Sequence, residues 1–224
     1  MTTAALHHSS ATTHPVHVDV PPALFGRDRL TVAFRPILAI PHLLIVGGPV
    51  AAGLTWGWSG DDPSGYEWGA SGGVLGAVAV VVAVIAWFAI LFTGRHPRGL
   101  WDLAAFYLRW RVRAGAYTAL LRDEYPPFGD DAYPAALRLP SPYGPRNRLT
   151  VGFRPILAVP HLLLLPFLAI AWGFTTVVAW FAILFTGRMP VTLARFGTQA
   201  MQWITRVEAY LLLLHDEYPP FALE

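Results

Sequence analysis

The chain has 224 residues, 54% hydrophobic and only 13% charged, with a formal net charge of +2. Soluble domains carry roughly 25% charged residues, so the composition points to a membrane protein, and the small net charge argues against a nucleic-acid surface. There is no Cys, which excludes disulfides, thiolate metal sites and cysteine nucleophiles.

Residues 1–20 are small and polar, and the composition predicts a disordered, dispensable tail. They lack the basic segment and apolar core of a signal peptide. His7, His8, His14 and His17 are spaced too irregularly to suggest a built metal site. Repeat 1 spans 21–128. After Arg35 the run PILAIPHLLIVGGPVAAGL is long enough, at about 28 Å, to match the roughly 30 Å hydrocarbon core, with Pro41, Pro49 and Gly47-Gly48 bending it. The loop 55–73 carries Trp56, Trp58, Tyr66 and Trp68, residues suited to the headgroup level. Residues 74–92 form the clearest transmembrane run, stopped by Thr93-Gly94-Arg95. An amphipathic helix is expected over 97–122, with Arg98, Asp102, Arg109 and Arg113 on one face. Residues 129–145, rich in Pro, Gly and Asp, read as a linker, and repeat 2 spans 146–224 with a second amphipathic helix over 190–215.

The chain is a tandem duplication. RLTVAFRPILAIPH at 29–42 returns as RLTVGFRPILAVPH at 148–161, AWFAILFTGR at 86–95 returns at 179–188, and DEYPPF at 123–128 returns at 216–221. The offset between copies is 119 up to His42/His161 and 93 from Ala86/Ala179 onward, so repeat 1 holds 26 extra residues between those points. If identical motifs meet identical environments, Arg154 and Arg188 lie on one side of the membrane, as Arg35 and Arg95 do. That reasoning predicts a short hairpin in repeat 2, turning near Trp172-Gly173-Phe174. The expected fold is all-α: two repeats, each a membrane hairpin followed by an interfacial amphipathic helix, with about four membrane-embedded helices and both termini cytoplasmic.

Few residues invite chemistry. His42 and His161 sit seven residues, about 10 Å, beyond Arg35 and Arg154. An ionisable group at that depth is a candidate ligand or proton site, although two histidines without a third ligand make a weak metal signal. Arg35, Arg95, Arg113, Arg154, Arg188 and Arg206 are candidates for lipid-phosphate or interface contacts. Asp123-Glu124 and Asp216-Glu217 suit water-exposed helix ends, pairing with Arg27, Arg29, Arg146 or Arg148. No phosphate loop, nucleophile elbow or zinc-protease motif is present, so no catalytic residue, metal or cofactor is expected.

With these motifs in hand, the chain resembles the bacterial membrane-protein family known as domain of unknown function 4389, in two copies covering about 21–222. The resemblance implies an integral location in the bacterial inner membrane and no established activity. The expectation is a non-enzymatic scaffold or accessory subunit contacting membrane lipids and a protein partner or a second copy of itself. The alternative is a small transporter or proton-conducting unit using the paired histidines.

Overall fold

The computed structural model describes residues 14–48, 54–57, 67–70, 73–141 and 144–223. It is mostly helical, and the elements run β1 (His17–Asp19), α1 (Arg29–Leu38), α2 (Ile40–Val46), β2 (Leu54–Gly57), β3 (Glu67–Ala70), α3 (Gly73–Thr93), α4 (Arg98–Thr118), β4 (Ala136–Arg138), α5 (Arg148–Thr186) and α6 (Val191–Leu211). Both repeats begin with the same device. Asp28 Oδ1 accepts from the Leu30 and Thr31 amides, and Asn147 Oδ1 accepts from those of Leu149 and Thr150, each side chain closing the first turn of its helix.

From there the copies diverge. In repeat 1 the path bends by 41° between α1 and α2, and α2 then ends at Gly47, whose φ of 76° is open to glycine. The extra residues leave at this point as the antiparallel pair β2–β3, and α3 resumes beside Gly47. Trp58 and Tyr66 of the expected interfacial loop lie outside the described residues. In repeat 2 the expected hairpin is absent. α5 is one continuous helix of 39 residues that passes through Trp172-Gly173-Phe174 without a turn. The physical reason is local. The run from Pro155 to Thr186 contains no Asp, Asn or Pro-Gly turn signal, and Trp172 is buried where Gly197 of α6 makes room for its indole. Pro155, Pro160 and Pro166 each remove one helical N–H but end nothing. Without the 26 residues, repeat 2 thus runs as one helix where repeat 1 has a break, rather than closing in a tight turn.

Among the described residues two helices, α3 and α5, are long and apolar enough to cross a membrane, or three spans if the bent pair α1–α2 counts as one. They pack on a central antiparallel pair, α4 and α6. Trp101 Nε1 donates to the Leu214 carbonyl, Arg111 meets Glu208, and Gly115 admits the Met201 side chain. More than half of each of these two helices is buried. An amphipathic helix would keep one polar face in water; these two are buried on most sides and form the core, where their small residues Ala104, Ala105, Ala114, Ala200 and Ala209 let them pack closely. The β1–β4 ribbon packs on the same pair and inserts Val16, Val18 and Val20. Residues 14–20 are therefore ordered, contrary to the disordered tail expected; residues 1–13 are outside the described set.

The two copies are interleaved. Trp87 Nε1 on α3 donates to the Val151 carbonyl of α5 at 2.8 Å, and Trp180 Nε1 on α5 donates to the Val32 carbonyl of α1 at 2.8 Å. Gly94 lies against the Arg148 guanidinium and Gly187 against that of Arg29. Each apolar path ends on the beginning of the other copy.

Candidate functional site

The repeated motifs meet in two equivalent clusters. FRPILAxPH places its Arg and His two helical turns apart, and DEYPPF, coming off the end of the following helix, closes over both. In repeat 1, Asp123 Oδ1 binds Arg27 Nη2 at 2.6 Å and Arg35 Nη2 at 2.7 Å. Arg35 Nη1 donates to the carbonyls of Tyr117 and Arg122, and its guanidinium stacks 4.3 Å from the Tyr117 ring centre. In repeat 2, Asp216 Oδ1 binds Arg146 and Arg154, Arg154 Nη1 donates to the carbonyls of Tyr210 and His215, and its guanidinium stacks at 4.3 Å on Tyr210. Each Arg thereby gives a second donor to a last-turn carbonyl, which also accepts from the Leu120 or Leu213 amide, and binds the carbonyl of the segment that follows, where a cation also suits the helix dipole. Those ends turn through Leu120 and Leu213, both at φ 62°, a conformation costly for a side chain with a β-carbon.

The histidines are packing centres in separate aromatic boxes. Both are fully buried. His42 stacks on Phe128 at 4.5 Å with Tyr125 at 5.0 Å, and His161 stacks on Phe221 at 4.1 Å with Tyr218 at 4.9 Å. Trp110 Nε1–H donates to His42 Nδ1 at 3.1 Å. An indole can only donate, so Nδ1 carries the lone pair and the ring proton sits on Nε2. In repeat 2 the equivalent Trp203 donates to the Pro220 carbonyl instead.

Four of the six arginines expected at the lipid interface are buried: Arg35 and Arg154 in the clusters above, Arg113 against Gly129 and Asp130, and Arg206 within α6. Only Arg95 and Arg188 are exposed. A guanidinium brings five donors, and for Arg35 and Arg154 backbone carbonyls and a carboxylate take up the terminal Nη groups, leaving Nε. The pairings of Asp123 with Arg27 and of Asp216 with Arg146 match the sequence expectation.

One buried pair has no counterpart. Arg111 Nε lies 2.8 Å from both Glu208 carboxylate oxygens, and Arg111 Nη1 donates to the Val46 carbonyl at 2.7 Å. The equivalent positions are Ile204 and Gly115. Val46 is the last residue of α2, so the break in repeat 1 orphans its carbonyl; Leu165, its equivalent inside α5, bonds along the helix. Arg111 answers the orphan, and Glu208 neutralises Arg111. Burial pushes the Glu208 carboxyl above its ordinary range, while Arg111 draws it back. Sequence reasoning passed over this pair, although the Arg111/Ile204 and Glu208/Gly115 mismatches mark it.

Among the described residues no three His, Asp or Glu side chains stand where they could share a metal ion. A family model described as a domain of unknown function, DUF4389, matches residues 69–129 and 148–222, more than half of the chain and in two copies. The chain belongs to that family. In repeat 1 the family match starts within β3, so it leaves out the Arg35–His42 segment, whereas in repeat 2 it takes in the equivalent Arg154–His161 segment. No curated protein and no solved structure gives a significant match. Membership in the family therefore fixes a repeat unit and leaves the role to the geometry.

Proposed function

We propose that the protein is a non-enzymatic module of the bacterial inner membrane, a scaffold or accessory subunit that contacts anionic lipid and a protein partner, with both termini cytoplasmic. The observation that carries this reading is the surface of α5. Large apolar side chains stand exposed from Leu149 to Phe185, nearly its whole length. A helix of 39 residues has a contour of about 58 Å, almost twice the roughly 30 Å hydrocarbon thickness. A straight crossing would leave nearly half of that surface in water. With α4 and α6 lying along the membrane surface and both ends of α5 on one side, the prolines let the helix dip into lipid over its full length. The buried ionisable groups meanwhile serve helix ends and ion pairs. The alternative, a proton- or ion-conducting unit, needs His42 and His161 on a shared path, and each is stacked in its own box.

Affinity capture in mild detergent, followed by lipid and protein analysis, tests the proposal. Co-purification of anionic phospholipid and a defined protein at fixed stoichiometry is expected. A chain recovered alone, without lipid or partner, overturns it.

A further inference from the structure

Two clefts on the outer surface repeat each other. One, of about 480 Å³, lies between α3 and the start of α5, with Trp87, Phe88, Pro155, Ala158 and Leu162 in its walls. The other, of about 500 Å³, lies between α1–α2 and the end of α5, with Trp180, Phe181, Pro36, Ala39 and Leu43 at the corresponding positions. Both fall within the roughly 300–1,000 Å³ range of small-molecule sites. Each forms where the copies interleave, so neither repeat possesses one alone. The linings are almost wholly apolar except for one shared feature. Arg154 lines the first cleft and Arg35 the second, each side chain only 2% exposed and each with an Nε–H that has no acceptor among the described residues. The charge around them is uneven as well. Two guanidiniums share a single carboxylate oxygen in each cluster, Arg27 and Arg35 on Asp123 and Arg146 and Arg154 on Asp216, which leaves one positive charge in excess. Glu208 also borders the first cleft, but its charge is taken up by Arg111.

We infer that each cleft holds one molecule of anionic phospholipid. An acyl chain lies along the Trp, Phe and Leu wall, and the phosphate or ester oxygens face the cationic cluster. This assignment rests on the membrane reading above and gives it a location. The chemistry requires an amphiphile with a long apolar body and an anionic head: the walls exclude a small polar anion, and the unsatisfied donor with its excess charge disfavours a plain hydrocarbon.

Native mass spectrometry of the intact chain from mixed phosphatidylglycerol–phosphatidylcholine nanodiscs provides the test. The wild type is expected to retain two phosphatidylglycerol molecules. Ala83→Phe and Thr176→Phe, which fill one cleft each, should lower the count to one, and the double variant to none. As a second measurement that leaves both clefts open, phosphatidylglycerol with mid-chain bromine should quench the wild-type tryptophan emission, and Trp87→Phe/Trp180→Phe, checked for an intact fold by circular dichroism, should lose most of that quenching. Lipid retained undiminished with both clefts filled, or quenching unchanged without the two tryptophans, overturns the cleft assignment and leaves the membrane reading standing. Equal retention of phosphatidylcholine overturns the charge selection. A wild-type chain that keeps no lipid overturns both.

Discussion

At the scale of single residues, Arg111 and Glu208 show how one local defect recruits charge into a core. Neither side chain is favourable there alone. Removing one partner of a buried pair typically costs about 3–5 kcal/mol, because the survivor is left uncompensated, whereas replacing both by apolar residues approaches neutrality. Glu208→Met should thus lower stability in thermal unfolding by an amount in that range. Arg111→Met/Glu208→Met should recover most of it, short by about 1–3 kcal/mol for the Val46 carbonyl, which loses its donor. A double variant no better than the single would show that the pair does not act as a unit. His215 gives a pH signature. It is buried edge-on against His14, and burial, reinforced by His14, pushes its pKa down to about 3. The unfolded ring takes up a proton near pH 6.5, and the folded ring does so only near 3. Its contribution to stability is therefore complete above pH 6.5 and falls as pH drops through that window, by up to about 1.4 kcal/mol per unit. Unfolding midpoints followed between pH 7 and 5 should decline in the wild type, and His215→Gln should flatten the decline. An identical slope in both would reject His215 as its source.

At the scale of elements, the sequence was most legible where a motif repeats and least where an element changes its partners. The apolar run of α3 and the pairing of Asp123 and Asp216 with the arginines that open each repeat were legible, whereas the helix starts capped by Asp28 and Asn147, ahead of the apolar runs at Pro36 and Pro155, were not. The aromatic boxes were not legible, because nothing in a single copy says that Phe128 folds back onto His42 from 86 positions away. The hairpin expected in repeat 2 failed for a related reason. Identical motifs do meet equivalent surroundings, as the hairpin supposed, but they find them in the other copy: α5 reaches from one end of the α4–α6 pair to the other and docks its end on α1. Composition misled at the N-terminus, where Val16, Val18 and Val20 alternate within a polar segment and are buried in the core by β1 and the residues on either side of it. Deleting residues 1–20 should consequently destabilise the protein by on the order of 3 kcal/mol or more, at about 1.5–3 kcal/mol per buried Val. A truncated chain with an unchanged unfolding midpoint would restore the dispensable tail.

At the scale of the whole molecule, duplication built one interleaved body, with two arginine–aspartate clusters at opposite ends of the α4–α6 pair and an apolar surface on α1, α2, α3 and α5. The central claim is that this pair lies along the membrane surface, so that both ends of α5 face the same side. Arg95 and Arg188 mark the two ends and are exposed, and the chain has no cysteine of its own. The most direct measurement is labelling of Arg95→Cys and Arg188→Cys, introduced singly, with a membrane-impermeant maleimide in right-side-out and inverted vesicles. The account predicts that both positions react only from the cytoplasmic face. Labelling of one from each face would mean that α5 crosses the bilayer, and would contradict it.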